Sequence, residues 1–196
     1  MRLAIFDFDG TITTRDSFED FIFYSHGVVK TLWGILLVSP ELVSYVLKIM
    51  PNWQAKQKVF AHFFKGWQKE DFEAAARRYI RERLPVIIRP AALKRLDWHK
   101  GEGHRIVIVS ASFENYLQPW CETYGCELLA TKVEIKNEVL TGQFASKNCY
   151  GEEKVARLKE AYRLADFEFI YAYGDSNADR CLARIAQEFH YRPFQP

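Results

Sequence analysis

The chain has 196 residues, of which 48% are hydrophobic and 15% aromatic, enough for one globular domain or a domain with a modest insertion. This composition excludes intrinsic disorder as the main state of the chain. The 27 Lys and Arg residues almost balance the 25 Asp and Glu residues, and a net charge of +2 gives no reason to expect a nucleic-acid-binding protein.

Charge is nevertheless distributed unevenly along the sequence. Residues 30–100 carry 14 basic and 6 acidic side chains, a net charge of +8, whereas residues 1–29 and residues 101–196 each carry −3. The basic segment is either a solvated helical surface or a surface that attracts an anionic substrate or a membrane.

The cysteines have neither the spacing nor the histidine partners of a zinc site, so we expect reduced and mostly buried thiols. They are Cys121, Cys126, Cys149 and Cys181. The N-terminus lacks the apolar region and the cleavage site of a signal peptide, and the sequence therefore favours a cytoplasmic protein.

The first predicted element is a buried strand at Arg2–Phe8, and the apolar runs Arg105–Val109 and Phe167–Tyr173 are typical of further buried parallel strands. Helical patterns, such as Lys154–Leu164, alternate with these runs. The alternation predicts an α/β fold with a Rossmann-like parallel sheet. The segment Thr131–Phe144 is predicted to be a β-hairpin at the edge of the core.

Almost a hundred residues with a helical pattern separate the first two strands, too many for a single crossover helix. We therefore predict a helical cap at 14–88, inserted into a catalytic core formed by 1–13 and 89–196. Ser17 is the predicted N-cap of the first helix, and Asp71–Arg83 is a predicted amphipathic helix.

The predicted cap contains an unusually apolar segment, Val28–Met50, which Pro40 splits. Its uncharged run, Thr31–Pro40, is too short to span a bilayer. The favoured interpretation is a buried helical hairpin. The alternatives are an element that touches a membrane surface and a contact between two copies of the chain.

Two carboxylates, Asp7 and Asp9, stand at the end of the first predicted strand. In open α/β sheets, ligands bind at the carboxyl ends of the strands, and residues i and i+2 of an extended segment face the same side. Both carboxylates are therefore expected in one site. Gly10 allows the backbone to turn sharply there and to bring amide groups close to an anion.

A second acidic pair, Asp175 and Asp179, begins at the end of another predicted strand. Four converging carboxylates would repel one another without a cation, and Mg²⁺, which prefers oxygen ligands, is the predicted cofactor. Ser110-Ala111-Ser112 follows the second predicted strand and places a hydroxyl group and free amides at the same edge of the sheet.

In their order and spacing, these motifs resemble those of the haloacid dehalogenase superfamily of aspartyl-phosphate phosphatases. Asp7-x-Asp9-Gly-Thr11 resembles the first motif, and Gly174-Asp-x-x-x-Asp179 resembles the fourth. Ser110 and Lys154 resemble the second and third motifs. The insertion between the first two motifs is similar to a cap of this superfamily.

The helical cap and the second motif make the chain similar to the phosphoserine phosphatase-like subclass. Phosphoserine phosphatases proper usually have Ser-Gly-Gly where this chain has Ser110-Ala-Ser, and their cap arginine has no obvious match near 54–58. The pair Asp16-Ser17, the apolar cap segment and the run Asn148-Cys-Tyr-Gly-Glu-Glu-Lys154 are similar to C-type phosphatidylglycerophosphate phosphatases.

The resemblance implies a Mg²⁺-dependent phosphatase that hydrolyses a phosphate monoester. Asp7 would be the nucleophile that forms an aspartyl-phosphate, Asp9 the general acid and base, and Lys154 a catalytic second cation. The implied Mg²⁺ ligands are the Asp7 carboxylate, the Asp9 carbonyl oxygen and Asp175.

Further residues acquire roles through the same resemblance. The implied phosphate-binding residues are Ser110, Ala111, Thr11, Gly10 and Lys154. Asp179 would orient a metal-bound water or Lys154, and Asn177 is expected to cap a helix rather than to touch phosphate.

The substrate is left open between a small phosphorylated metabolite, phosphoserine included, and a phospholipid head group, with peripheral membrane contact through residues 28–50. A phosphotransferase or a phosphonate-processing relative would use the same nucleophile, but Asp9 favours ester hydrolysis because the ester oxygen needs a proton. A non-enzymatic membrane-surface protein is the alternative from a different class. The oligomeric state is open.

Overall fold

The computed structural model describes residues 1–195. Their strands form one parallel sheet and a separate two-stranded hairpin. The strands are β1 (Arg2–Phe6), β2 (Arg105–Phe113), β3 (Glu127–Thr131), β4 (Val133–Lys136), β5 (Val139–Phe144), β6 (Phe169–Gly174) and β7 (Glu188–Tyr191). Five of them pair in the order β3-β2-β1-β6-β7, all in parallel. The predicted α/β fold with a parallel sheet is therefore confirmed.

The central strand β1 is buried on both faces of the sheet because its side chains alternate between two apolar clusters. Ala4 and Phe6 enter one cluster, and Leu3 and Ile5 enter the other, and all four are fully buried. This burial explains why the strand consists of an almost continuous apolar run.

Helices connect the strands and fill the interval between β1 and β2. They are α1 (Ser17–Leu37), α2 (Ser39–Val46), α3 (Asn52–Phe64), α4 (Lys69–Glu82), α5 (Leu84–Ile87), α6 (Pro90–Gly101), α7 (Glu114–Tyr124) and α8 (Glu152–Ala161). Two 3₁₀ helices, Leu164–Asp166 and Asn177–Arg184, flank β6. We call residues 17–87, which contain α1 to α5, the helical insertion.

The helical insertion begins and ends at two chain segments that pair with each other. Thr13 and Ile88 form an isolated antiparallel bridge, and the Arg89 amide donates to the carbonyl of Ile12 at 2.8 Å. Two helices of the insertion pack on elements outside it, α3 on β5 and α4 on α7. Phe60 of α3 lies in the same apolar cluster as one face of β1, so the insertion and the sheet share a continuous core.

The N-cap of α1 differs from the prediction. Asp16, and not Ser17, caps the helix, because its carboxylate accepts hydrogen bonds from the amides of Phe18 and Glu19. Ser17 is already a helical residue and is fully buried. Its hydroxyl group is thus available for contacts in the interior.

Strand β2 is longer than predicted. It continues through Ser110, Ala111 and Ser112 to Phe113, with a register shift in its pairing to β3 after Ser110. These serines therefore lie within the strand and not in a turn that follows it. Since alternate residues of a strand face the same side, Ser110 and Ser112 share a face.

The apolar segment Val28–Met50 is not the buried hairpin that the sequence favoured. Only Thr31, Gly34 and Val38 of this segment are buried, and most of its large apolar side chains are exposed. The reason is that aromatic residues from the first half of α1, from α3 and from α4 already fill the core of the insertion. The second half of α1, residues 28–37, consequently contacts the rest of the protein through one narrow side.

The described residues contain no single helix with the length and apolarity required to cross a membrane. Together, α1 and α2 pass the same length and composition test, but they are bent by 62° relative to each other.

The predicted hairpin is present as the antiparallel pair of β4 and β5. Its turn contains Asn137 and Glu138, which both have positive φ angles, as expected in a tight turn. The hairpin packs on α3 of the helical insertion.

Candidate functional site

The carboxyl ends of β1 and β6 bring Asp7 and Asp175 together at one edge of the sheet. Asp7 directly follows β1, and its amide donates to the carbonyl of Tyr173 in β6 at 2.9 Å. Asp175 directly follows Gly174, the last residue of β6. The parallel register of the two strands thus places both carboxylates at the same level.

Lys154 lies between two carboxylates and is almost fully buried. Its ammonium nitrogen is 2.6 Å from Oδ1 of Asp7 and 2.5 Å from Oδ1 of Asp179. The sequence alone would place a lysine at a helix start in solvent, but α8 begins at Glu152 and turns this side chain toward β1. The interaction therefore neutralises part of the negative charge of the site.

The three groups change each other's pKa. Burial raises the pKa of Asp7 to about 7, against the opposing effect of the Lys154 ammonium. Burial alone would also raise the pKa of Asp179, but Lys154 and hydrogen bonds from Ser176 hold it below its usual range. Burial disfavours the charged form of Lys154, yet the two carboxylates keep its pKa above the ordinary value. The two carboxylates therefore favour the charged form of Lys154.

Thr11 connects Asp7 with Asp175. Its hydroxyl group is 2.9 Å from Oδ2 of Asp7 and 3.4 Å from Oδ1 of Asp175. Burial and the charge of Asp179 raise the pKa of Asp175 above its ordinary value. The two carboxylates therefore face each other across one hydroxyl group.

Asp7, Asp175 and Asp179 fit a divalent cation. One carboxylate oxygen from each lies within 4.8 Å of the others, and two of the three residues are buried. Hard cations such as Mg²⁺ prefer donor sets of oxygen atoms. Both carboxylate oxygens of Asp7 and of Asp179 accept hydrogen bonds from neighbouring groups, whereas Asp175 accepts a single long contact of 3.4 Å from Thr11. Asp175 therefore has the most available oxygens of the three.

The Asp9 carboxylate points away from this group, toward β2 and α1. Its Oδ2 accepts a hydrogen bond of 2.5 Å from the hydroxyl of Ser112 and a longer contact of 3.5 Å from Ser110. Its Oδ1 accepts from the amide of Ser17 at 2.8 Å. Asp7 and Asp9 are therefore held by different partners.

Burial and the nearby charge of Asp16 raise the pKa of Asp9, whereas the positive charge of Lys56 lowers it. Lys56 belongs to α3, and its ammonium donates to the carbonyl of Ala111 at 3.0 Å. The ammonium also lies 5.3 Å from the ring centre of Phe18. The helical insertion thus supplies a cation to the side of the site where Asp9 lies.

A cavity of about 420 Å³ opens above these groups. On the sheet side it is lined by Asp7, Asp9, Gly10, Ala111, Lys154 and Asp175, and on the side of the insertion by Asp16, Phe18, Glu19, Leu42, Tyr45, Asn52, Ala55, Lys56 and Val59. The floor is therefore charged, and the opposite wall mixes apolar side chains with the charges of Asp16, Glu19 and Lys56.

The residues predicted to bind phosphate are all near this cavity, but several of their donors already have partners. The Gly10 amide donates to Thr13, and the Thr11 hydroxyl donates to Asp7. Ser110 is fully buried, and its hydroxyl accepts from the amide of Ser112. Ala111 lines the cavity. Their phosphate-binding role stays a prediction, as does the Asp9 carbonyl as a metal ligand.

The prediction that Asn177 caps the helix after β6 is wrong. Ser176 is the N-cap, and Asp179 completes a capping box because its Oδ2 accepts from the Ser176 amide and hydroxyl. Asn177 is exposed, and its side chain accepts a hydrogen bond from Arg180. Asp179 thus combines a capping role with its contact to Lys154.

Sequence reasoning assigned no role to three side chains near Asp9: Ser112, Tyr116 and Lys56. Ser112 was detectable, because it shares a strand face with Ser110. The Tyr116 hydroxyl lies 3.1 Å from the hydroxyl of Ser17, and this contact joins α7 to α1. Neither Tyr116 nor Lys56 has a local sequence signal, since only the packing of helices from distant segments brings them to the site.

Comparisons with known proteins cover nearly the whole chain. The sequence model of the haloacid dehalogenase-like hydrolase family matches residues 4–184. Protein CicA of Caulobacter vibrioides is 32% identical over 195 residues, which are 98% of this chain and 86% of that protein. These matches span both acidic pairs and the helical insertion.

Solved structures show the same fold. A protein of unknown function from Bordetella pertussis Tohama I superposes with a TM-score of 0.83 at 21% identity, covering 96% of this chain and 88% of that chain. A phospho-aspartyl intermediate analogue of phosphoserine phosphatase superposes with a TM-score of 0.68 at 20% identity, covering 95% and 84% of the two chains.

Proposed function

The chain belongs to the haloacid dehalogenase-like hydrolase family, and we propose that it is a phosphatase that hydrolyses a phosphate monoester through an aspartyl-phosphate on Asp7. The observation that carries this proposal is the position of Asp7. Its carboxylate lies at the floor of the cavity, with Lys154 on one oxygen and Thr11 on the other. A carboxylate fixed in this way can attack a phosphorus atom from a single direction.

The first step forms a bond between an Asp7 carboxylate oxygen and phosphorus and breaks the bond between phosphorus and the ester oxygen. Asp9 donates a proton to the departing oxygen, which leaves as an alcohol. Burial raises the pKa of Asp9 and so favours the protonated form that this step needs. Ser112 and the Ser17 amide hold its carboxylate in place.

The second step reverses the role of Asp9. Its carboxylate accepts a proton from a water molecule, the water oxygen bonds to phosphorus, and the bond to Asp7 breaks. Inorganic phosphate leaves and Asp7 is regenerated. Splitting one difficult displacement into two steps lowers the barrier of each.

We further propose that Asp7 and Asp175 hold Mg²⁺, which would offset the negative charge of the transferred phosphoryl group. The all-oxygen donor set and its partial burial support this assignment. Lys154 adds a positive charge beside Asp7 that does not depend on the metal. Asp179 orients Lys154, since its Oδ1 contacts the ammonium.

We propose that the helical insertion acts as a cap that reads the leaving group, as the predicted division into 14–88 and the remaining core implies. Residues of α2 and α3 line the wall opposite the carboxylates. This wall combines the apolar side chains of Leu42, Tyr45 and Val59 with the ammonium of Lys56 and the carboxylates of Asp16 and Glu19. The wall suits a leaving group with both an apolar part and polar groups, rather than a purely polar metabolite.

The substrate class follows from a phosphate-release assay with Mg²⁺. The panel contains phosphoserine, sugar and glycerol phosphates, and phosphatidylglycerophosphate in mixed micelles. Preference for the lipid would indicate that the apolar side chains of the wall contact the lipid backbone. Preference for a soluble ester would indicate that they contact a small metabolite. Failure of every ester to release phosphate would reject the phosphatase function and leave a binding function without chemistry.

Asp7→Asn tests the nucleophile. We expect this variant to lower phosphate release by about a thousandfold or more, because an amide cannot form the aspartyl-phosphate. Asp166→Asn is the matched control, since this carboxylate is 60% exposed and lies in a 3₁₀ helix away from the cavity. Equal activity of wild type and Asp7→Asn would reject Asp7 as the nucleophile.

A further inference from the structure

The second half of α1 presents a continuous apolar stripe to solvent. Its exposed side chains are Val28, Val29, Leu32, Trp33, Leu36 and Leu37, each between 56% and 70% exposed. They recur at intervals of three and four residues, which places them on one side of a helix. A surface helix of an ordinary globular protein carries polar residues on this side.

The opposite side of the same helical segment is fixed against the protein. Gly34 packs so closely against α3 that a β-carbon there would lie 2.4 Å from the ring of Phe63. Thr31 is buried, and its hydroxyl donates to the carbonyl of Ile22 at 3.4 Å. The outward orientation of the stripe is therefore set by packing.

The stripe continues beyond α1. Val43, Val46, Leu47, Ile49 and Trp53 are between 45% and 75% exposed and follow it along α2 and into α3. We call these eleven exposed side chains of residues 28–53 the apolar face. A helix with apolar residues on both sides is normally buried, and no part of the chain that the structure describes covers this face.

The apolar face lies beside the opening of the catalytic cavity. Leu42 and Tyr45 of α2 line the cavity, whereas Val43, Val46 and Leu47 of the same short segment are exposed. A surface that covered the apolar face would therefore lie next to the cavity opening.

Charge identifies the partner of this face. Lys30 and Lys48 are exposed within it, and Glu41 is the sole acidic residue of the sequence from 28 to 53. The longer sequence segment 30–100, of which most of the face is part, carries a net charge of +8. A second copy of the chain would bring two such segments together and oppose association, whereas an anionic lipid surface would neutralise them.

We propose that the apolar face docks on the surface of an anionic lipid bilayer, with the second half of α1 and with α2 lying in the interface. Trp33 and Trp53 are the aromatic anchors, and Lys30 and Lys48 contact the head groups. The 62° bend between α1 and α2 lets both helices follow a surface without crossing it. The cavity then opens close to the lipid head groups.

Co-sedimentation of the full chain with vesicles tests this proposal. We expect binding to vesicles of phosphatidylcholine with 30% phosphatidylglycerol, and at least tenfold weaker binding to vesicles of pure phosphatidylcholine. Leu36→Glu and Val46→Glu should each weaken binding at least tenfold, because a carboxylate then enters the interface. Val86→Glu is the matched control, since Val86 of α5 is 69% exposed and lies outside the apolar face.

Each variant is first checked for an unchanged thermal unfolding midpoint, which exposed positions are expected to keep. Absence of binding to both vesicle types would overturn the proposal, as would equal binding by wild type, Leu36→Glu and Val46→Glu. A dimer that these substitutions dissociate, without vesicle binding, would assign the face to a second copy instead. Asp7→Asn should bind vesicles like wild type, so this test is independent of the proposed phosphatase activity.

Discussion

A methyl group on Gly10 would lie 2.3 Å from Oδ2 of Asp175, and no atom pair can remain at this distance without a shift of the chain. Gly10 also has a φ of +78°, which is unfavourable for other residues. The residue after the Asp7-x-Asp9 pair therefore has no side chain because the second acidic loop occupies its space. The glycine keeps Asp175 close to Asp7.

Gly10→Ala is expected to impair the site more than the fold. The added methyl group would displace the Asp175 carboxylate, so we expect a fall in activity of at least tenfold and weaker Mg²⁺ activation. The positive φ should cost about 1 kcal/mol of stability. Gly103→Ala is the control, because Gly103 has a φ of +68° but no atom within 4 Å of a β-carbon. Equal activity of the two variants would contradict the steric explanation.

Ser112→Ala should lower kcat and leave KM nearly unchanged. The substitution removes the 2.5 Å hydrogen bond that holds Asp9, and a hydrogen bond to a charged group is worth about 1.5–3 kcal/mol. We therefore expect a loss of about tenfold or more in steady-state kcat. Ser44→Ala, on α2, should leave kcat as in wild type. A matching loss in both variants would exclude a specific role of Ser112.

Lys154→Met should destabilise the protein strongly, because the carboxylates of Asp7 and Asp179 would remain buried without their shared cation. Removal of one partner from a buried ion pair costs about 3–5 kcal/mol. Urea unfolding at pH 7 measures this loss. Lys159→Met, an exposed position on the same helix, should change the free energy of unfolding by less than about 0.5 kcal/mol. A loss below 1 kcal/mol in Lys154→Met would contradict the arrangement.

His99 should make the stability depend on pH. It is fully buried between His104 and the Tyr173 hydroxyl, and burial lowers its pKa from 6.5 to about 3. Below pH 6.5 the unfolded chain binds a proton at this histidine that the folded protein does not, so the contribution of His99 to the free energy of unfolding falls as the pH falls. Asp7, whose pKa burial raises to about 7, contributes in the opposite direction. The maximum slope is about 1.4 kcal/mol per pH unit, or about 2 kcal/mol between pH 7 and pH 5.

The measurement is urea unfolding of wild type and His99→Gln at both pH values. Between pH 7 and pH 5 the free energy of unfolding of wild type should fall by about 2 kcal/mol relative to that of the variant, because glutamine takes up no proton. The stability of the variant should still depend on pH to a smaller extent through His104, whose pKa is also lowered by burial. Identical pH dependence in both proteins would show that His99 does not carry the effect.

The sequence determined the parallel sheet and the order of the acidic motifs. Strand β1 is predictable because burial on both faces requires a continuous apolar run, and the run in Arg2–Phe6 has that form. The convergence of Asp7 and Asp175 follows from the same prediction, since parallel neighbouring strands end at one edge. The resemblance to the haloacid dehalogenase superfamily is confirmed by the family match to residues 4–184.

Only the tertiary structure decided which side chains surround each carboxylate. Ser112 reaches Asp9 through the extra length of β2, and Lys56 through the packing of α3, for which the sequence has no local pattern. The N-cap of α1 is Asp16 and not Ser17, because the Ser17 hydroxyl contacts the hydroxyl groups of Ser112 in β2 and Tyr116 in α7.

Exposure of the apolar face is the plainest case of what sequence pattern leaves open. An apolar run at helical spacing predicts that one side of a helix is shielded from water, but it does not predict which neighbour covers that side. In this fold, the core of the helical insertion is filled by aromatic residues such as Phe21 and Phe64. The second half of α1 then remains at the surface, because the volume that would have buried it is already occupied.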